Sequence, residues 1–125
     1  MTSSSTAKAT ILVAEDEPFL REIIHMSLVE HGADVELAGN GEEAIEAIDR
    51  HQPSLLLLDL LMPKVDGYAV LSHIRKQQYT FPVLILSNLS DPAEREKCQK
   101  LGVLDFIVKS NLDEDALWGR VEKFL

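Results

Sequence analysis

Five short apolar runs, separated by stretches of helical periodicity, constrain this chain more than any other feature. They are Thr10–Ala14, Asp34–Ala38, Leu55–Leu58, Val83–Leu86 and Leu104–Val108. Strand-length runs spaced by roughly 20 to 30 residues are what alternating strands and helices leave in a sequence. The first, third and fourth runs are apolar nearly throughout, as strands covered on both faces must be. The second, Asp34-Val35-Glu36-Leu37-Ala38, alternates, which suits a more exposed edge.

Between the runs, apolar residues recur at three-to-four spacing. Leu20, Ile23, Ile24, Ser27 and Leu28 form one stripe, with Pro18 placed for a first turn. Ala44, Ile45, Ala47 and Ile48 form a second, stopped before Pro53; Tyr68, Leu71 and Ile74 a third; Leu117, Val121 and Phe124 a fifth. The fourth helix, expected around Ala93 to Leu101, offers only Ala93, Cys98 and Leu101 for burial. A stripe that thin anchors weakly, so this helix is the element expected to move. Right-handed crossovers then give an α/β doubly wound parallel sheet with helices on both faces, and the flavodoxin-like strand order 2-1-3-4-5 is expected.

Composition narrows the class. The 125 residues suit one domain, expected over residues 9–125, behind a disordered tail at residues 1–8 that is rich in Ser, Thr and Ala. That start lacks the apolar core of a signal peptide, and no apolar run has the ~20 residues of a membrane span. A net charge of −9 without a basic stripe argues against direct nucleic-acid contact. Cys98 is the single cysteine, so no internal disulfide forms, and a cytoplasmic setting is expected.

The polar residues that follow the strands carry the chemistry. The first run ends in Glu15-Asp16-Glu17, the third in Asp59, the fourth in Ser87 and the fifth in Lys109. In a parallel sheet all carboxyl ends share one edge, where ligands bind. An Asp after a strand is ordinarily a turn or cap residue, but four strand ends bearing such groups point to a common site. Glu15, Asp16 and Asp59 brought together repel, which raises a pKa or demands a cation. Carboxylates, a backbone carbonyl and water are the ligand set of Mg²⁺. Lys109 and Ser87 suit phosphoryl oxygens, and Asp59 suits the nucleophile of phosphoryl transfer.

With these residues in view, the chain resembles a response-regulator receiver domain from about Ala9 to Leu125. The matching segments are Ile-Leu-Val-Ala-Glu-Asp-Glu-Pro (11–18), Leu-Leu-Leu-Leu-Asp-Leu-Leu-Met-Pro-Lys-Val-Asp-Gly (55–67), Val-Leu-Ile-Leu-Ser (83–87) and Asp-Phe-Ile-Val-Lys (105–109). The resemblance implies a two-component switch that is phosphorylated by a sensor histidine kinase or phosphotransfer protein. Such a protein is no conventional enzyme, catalysing only its own Mg²⁺-dependent phosphorylation and dephosphorylation. Asp59 would be the phosphoacceptor, Asp16 a direct metal ligand, Glu15 an acid acting through water and the Leu61 carbonyl a further ligand. Ser87 and Lys109 would contact the phosphoryl group, and Phe106 would be the switch aromatic that turns inward as Ser87 is drawn to the phosphate. The output partner would dock on the face made by the fourth helix, fifth strand and fifth helix. Oligomeric state stays open, a homodimer included, as does whether the chain is a stand-alone regulator or a fragment.

Departures from the family pattern are specific. Glu15 stands where Asp is commoner, Asn88 follows Ser87 where a small residue is usual, and Ser110 follows Lys109 where proline is usual. The Lys109–Ser110 bond is therefore expected trans, because a non-proline cis bond costs about 2.5–4 kcal/mol. Apolar Leu61 and Leu89 are expected to shield a phosphoryl group from water. Gly67 is expected to relieve a backbone constraint.

Other readings fit less well. A hydrolase with an Asp nucleophile would want a second Asp where Leu61 stands, and a flavin module would not place Glu15-Asp16-Glu17 at a phosphate. A receiver that binds without being phosphorylated stays open as an alternative, although the acids, Ser87 and Lys109 are all present. Glu17 reads as a helix-entry charge, the four histidines as structural or surface groups, Cys98 as a small buried residue, and Trp118 as core or interface.

Overall fold

The computed structural model describes residues 9–88 and 92–125, without the side chains of Asn111 and Glu114. Five parallel strands form one sheet: β1 (Thr10–Ala14), β2 (Asp34–Ala38), β3 (Leu55–Asp59), β4 (Val83–Ser87) and β5 (Asp105–Val108). Their order is β2-β1-β3-β4-β5, the order expected. The helices are α1 (Pro18–Glu30), α2 (Gly41–Arg50), α3 (Gly67–Lys76), α4 (Pro92–Lys100) and α5 (Glu114–Glu122), with a 3-10 turn at Lys109–Asn111. Residues 1–8, expected as a tail, and Leu89, expected as a shield, lie outside the described residues.

The four leucines of β3 explain why a continuous apolar run is a central strand. Alternate side chains of a strand point to opposite faces. Leu55 and Leu57 join Ile11, Val13, Leu84, Leu86 and Ile107 under Ile24 and Leu28 of α1 and Leu117 and Val121 of α5. Leu56 and Leu58 join Leu12, Ala14 and Ile85 under α2, α3 and Cys98 of α4. Both faces are covered, so β3 has no polar side until Asp59. By contrast β2 keeps only Ala38 buried, as the alternation predicts for an edge.

Local chemistry sets the helix starts. Glu17 caps α1, accepting from the N–H groups of Phe19 and Leu20, which makes the expected helix-entry charge an N-cap. Asn40 caps α2, Asp66 caps α3, and Asp113 caps α5. Only Cys98 of α4 is buried, so this helix is as thinly anchored as its sequence implies. Cations supplement the anchor: Arg95 lies over the Phe106 ring at 4.9 Å and Lys97 over the Tyr68 ring at 4.2 Å. Trp118 stacks on His31 at 4.9 Å, joining α5 to the end of α1. No helix among the described residues is long and apolar enough to cross a membrane.

Candidate functional site

Sheet register assembles the site. Ala14 pairs with Leu58, so Glu15 and Asp59 emerge level from β1 and β3. Asp59 pairs with Leu86, one residue before Ser87. Ser87 pairs with Val108, one residue before Lys109. Groups far apart in sequence thus reach one sheet edge within a single row.

One carboxylate oxygen each from Glu15, Asp16 and Asp59 lie within 4.8 Å of one another. Glu15 is wholly buried, Asp59 is 3% exposed, and Asp16 is half-buried. The Lys109 ammonium bridges two of them. Its Nζ donates to Asp59 Oδ2 at 2.9 Å and forms an ion pair with Glu15 Oε1 at 2.6 Å. Backbone donors fix the remaining oxygens: Leu61 N–H to Asp59 Oδ1 at 3.1 Å, and Glu17 N–H to Glu15 Oε2 at 3.0 Å.

The charges are unequal. Burial, reinforced by repulsion from Glu15, pushes Asp59 up to about 6 despite the Lys109 hydrogen bond. Burial pulls the Lys109 pKa down, but the two carboxylates outweigh it and hold the ammonium above its ordinary value. One cation therefore faces three acids. The buried Glu15 Oε1 has no aligned hydrogen-bond partner and is compensated by charge alone. Such an excess of hard oxygen donors at one edge fits a small divalent cation.

The sequence-derived residues fall as follows. Glu15, Asp16, Asp59 and Lys109 converge. Ser87 is buried at the end of β4 beside them. The Leu61 side chain is 63% exposed, while its N–H ties the loop after β3 to Asp59. Phe106 is buried among the α4-side core residues, its ring facing inward beneath Arg95. All described peptide bonds are trans, Lys109–Ser110 included. Asn88 Oδ1 accepts the Ser110 N–H at 3.0 Å. Gly67 serves close approach rather than an unusual φ: a Cβ there would stand 2.6 Å from the Asp59 carbonyl oxygen.

Sequence reasoning missed two supports. Arg21 Nη1 donates to the Glu15 carbonyl at 2.9 Å, holding the β1–α1 loop. A Cβ at Gly41 would stand 1.9 Å from the Val65 carbonyl oxygen, so α2 packs on the loop after β3 only without a side chain there. A polar residue on an amphipathic helix and a glycine after an Asn cap give no local sign of these contacts. The histidines stay out of the acidic cluster; His73 Nε2 instead sits 2.9 Å from Asp49 Oδ1. Burial raises the Cys98 thiol pKa, which disfavours the thiolate form.

Comparison with known proteins agrees with this geometry. Residues 11–122 match the model for the response regulator receiver domain. The "Probable transcriptional regulator ycf27" of Porphyridium aerugineum is 43% identical over 102 residues, covering 82% of this chain but 42% of that protein. The alkaline phosphatase synthesis transcriptional regulatory protein PhoP of Bacillus subtilis is 33% identical over 99 residues, with 79% of this chain and 41% of that protein covered. The chain therefore spans less than half the length of these curated relatives. Among solved structures, the receiver domain of Francisella response regulator 1452 superposes with a TM-score of 0.88 at 31% identity, covering 94% of this chain and 96% of that one. The receiver domain of a signal transduction histidine kinase from Syntrophus aciditrophicus gives 0.83 at 34% identity, covering 94% and 89%.

Proposed function

This chain belongs to the response-regulator receiver family, phosphorelay switches rather than conventional enzymes, and from that premise we propose that Asp59 is its phosphoacceptor. The observation that carries the reading is the pairing of a nearly buried Asp59 with Lys109 at 2.9 Å inside the acidic cluster. One oxygen of Asp59 attacks the donor phosphorus. The bond from phosphorus to the donor's leaving atom breaks, the leaving group keeps the electron pair and takes a proton, and an acyl phosphate forms.

Asp16 and Asp59 would hold Mg²⁺ directly, with the Leu61 carbonyl as a further ligand and Glu15 acting through water. Such an ion neutralises charge on the phosphoryl oxygens. Lys109 pairs with one phosphoryl oxygen and the Ser87 hydroxyl hydrogen-bonds another. Movement of Ser87 toward the phosphate reaches Phe106 through the β4–β5 edge, and from there α4, whose Arg95 covers the Phe106 ring.

Residues 9–125 form the receiver unit in this reading. Its donor is a sensor histidine kinase or phosphotransfer protein, in the cytoplasm. Its output is the α4-β5-α5 face, where Arg95, Phe106, Asp105 and Arg120 line a groove of about 440 Å³. Incubation with acetyl phosphate and Mg²⁺ should add one phosphoryl group to the intact mass, and Asp59→Asn should gain none. Undiminished modification of Asp59→Asn would move the site elsewhere.

A further inference from the structure

Asn88 and Ser110 each follow a residue assigned to the phosphoryl group, and the structure joins them. The Ser110 N–H donates to Asn88 Oδ1 at 3.0 Å, between chain segments 22 residues apart. Ser87 and Val108 form the last rung of the β4–β5 ladder. The Asn88 side chain therefore ties the two loops together just beyond the sheet.

The bond answers a local deficit. Ser110 lies in the 3-10 turn Lys109–Asn111, and the first N–H groups of any helical turn have no partner within it. Val108, at the cap position, provides no side-chain hydrogen bond. Asn88 supplies that cap from the neighbouring strand. A proline at 110 would have no N–H to receive it.

The consequence falls on Lys109. The Lys109–Ser110 peptide is a rigid plane, and both of its polar groups are engaged. Its N–H goes to Asn88, and its carbonyl accepts from Leu112 N–H at 3.1 Å. Fixing that plane fixes the Cα from which the Lys109 side chain reaches Asp59. We infer that Asn88 is a positioning residue for phosphoryl transfer, capping the turn that carries Lys109 and holding its ammonium against Asp59 through the Ser110 N–H. The inference rests on the phosphoacceptor reading of Asp59.

Asn88 is exposed, so Asn88→Ala removes the acceptor without opening the core. Ser110→Pro removes the donor, and Ser110→Ala keeps it. Rates of phosphorylation by acetyl phosphate, read by intact mass, should fall about 2- to 10-fold in Asn88→Ala and in Ser110→Pro, the range one ordinary hydrogen bond spans. The double variant should fall no further than the slower single one, and Ser110→Ala should match wild type. Mg²⁺ affinity of Asn88→Ala should stay at the wild-type value while exchange of the Ser110 amide quickens, a split that general distortion of the site would not produce. A wild-type rate in Asn88→Ala overturns the inference and leaves Asp59 standing. So does a loss of Mg²⁺ affinity as large as the loss of rate. A wild-type chain that takes no phosphoryl group overturns the reading of Asp59, and this inference with it.

Discussion

The Lys109 ammonium donates to Asp59 at 2.9 Å while pairing with Glu15 at 2.6 Å, so a single cation is shared by two buried carboxylates. Removing one partner of a buried pair is costly because the survivor keeps its desolvation without its compensation. Here loss of Glu15 or Asp59 leaves Lys109 its other carboxylate, whereas loss of Lys109 leaves two buried carboxylates without their shared cation.

Asp59 should make the metal-free protein less stable as pH rises. Its pKa is about 6 in the folded chain against an ordinary 3.8. The stability linked to this group is fully present below 3.8 and lost as pH passes through 6. Asp59→Asn lacks that dependence, and Lys109 retains Glu15. Urea titrations without metal should show wild type losing roughly 1–3 kcal/mol relative to Asp59→Asn between about pH 4 and 7. Parallel pH profiles for the two proteins would contradict the raised pKa.

Mg²⁺ should stabilise the fold through the acidic cluster. A ligand that binds only the native state adds about 2.7 kcal/mol at about 100 Kd. Thermal melts should shift upward with Mg²⁺ in wild type and hardly at all in Asp16→Ala. Glu15→Ala should keep part of the shift, because Glu15 is already engaged by Lys109 and by the Glu17 N–H. A full shift in Asp16→Ala would remove Asp16 from the metal site.

Gly67→Ala should destabilise the protein, although helix propensity alone favours Ala by about 1 kcal/mol. The new Cβ would meet the Asp59 carbonyl oxygen at 2.6 Å and the Leu60 Cα at 2.7 Å. Both are backbone atoms of the strand end that presents Asp59, so overpacking of about 1–3 kcal/mol should outweigh the propensity. Slower phosphorylation should accompany the loss. Denaturant midpoints equal to or above wild type would show that the strand end yields freely.

Arg95→Ala should loosen α4 alone. Its guanidinium covers Phe106, and a cation–π contact at an exposed site contributes about 0.5–1 kcal/mol. Amide exchange over Pro92–Lys100 should quicken about two- to fivefold while β3 and β4 stay protected. Uniform acceleration across the sheet would mean that Arg95 supports the whole domain.

What the sequence determined by itself is periodic or local. Leu55–Leu58 specified a strand buried on both faces, the alternation of Asp34–Ala38 an edge, and Glu17-Pro18 the entry to α1, because each depends on neighbours within a few residues. Strand ends followed by Glu15, Asp16, Asp59, Ser87 and Lys109 then located the site, since parallel strands share one carboxyl edge. Tertiary structure alone decided the rest. Whether Asn88 meets Ser110, whether Lys109 divides itself between Glu15 and Asp59, and whether Gly41 must clear Val65 all depend on register and on distances between segments remote in sequence. Periodicity fixes which face a residue lies on, but only packing fixes which atom of another segment comes within hydrogen-bond or van der Waals reach.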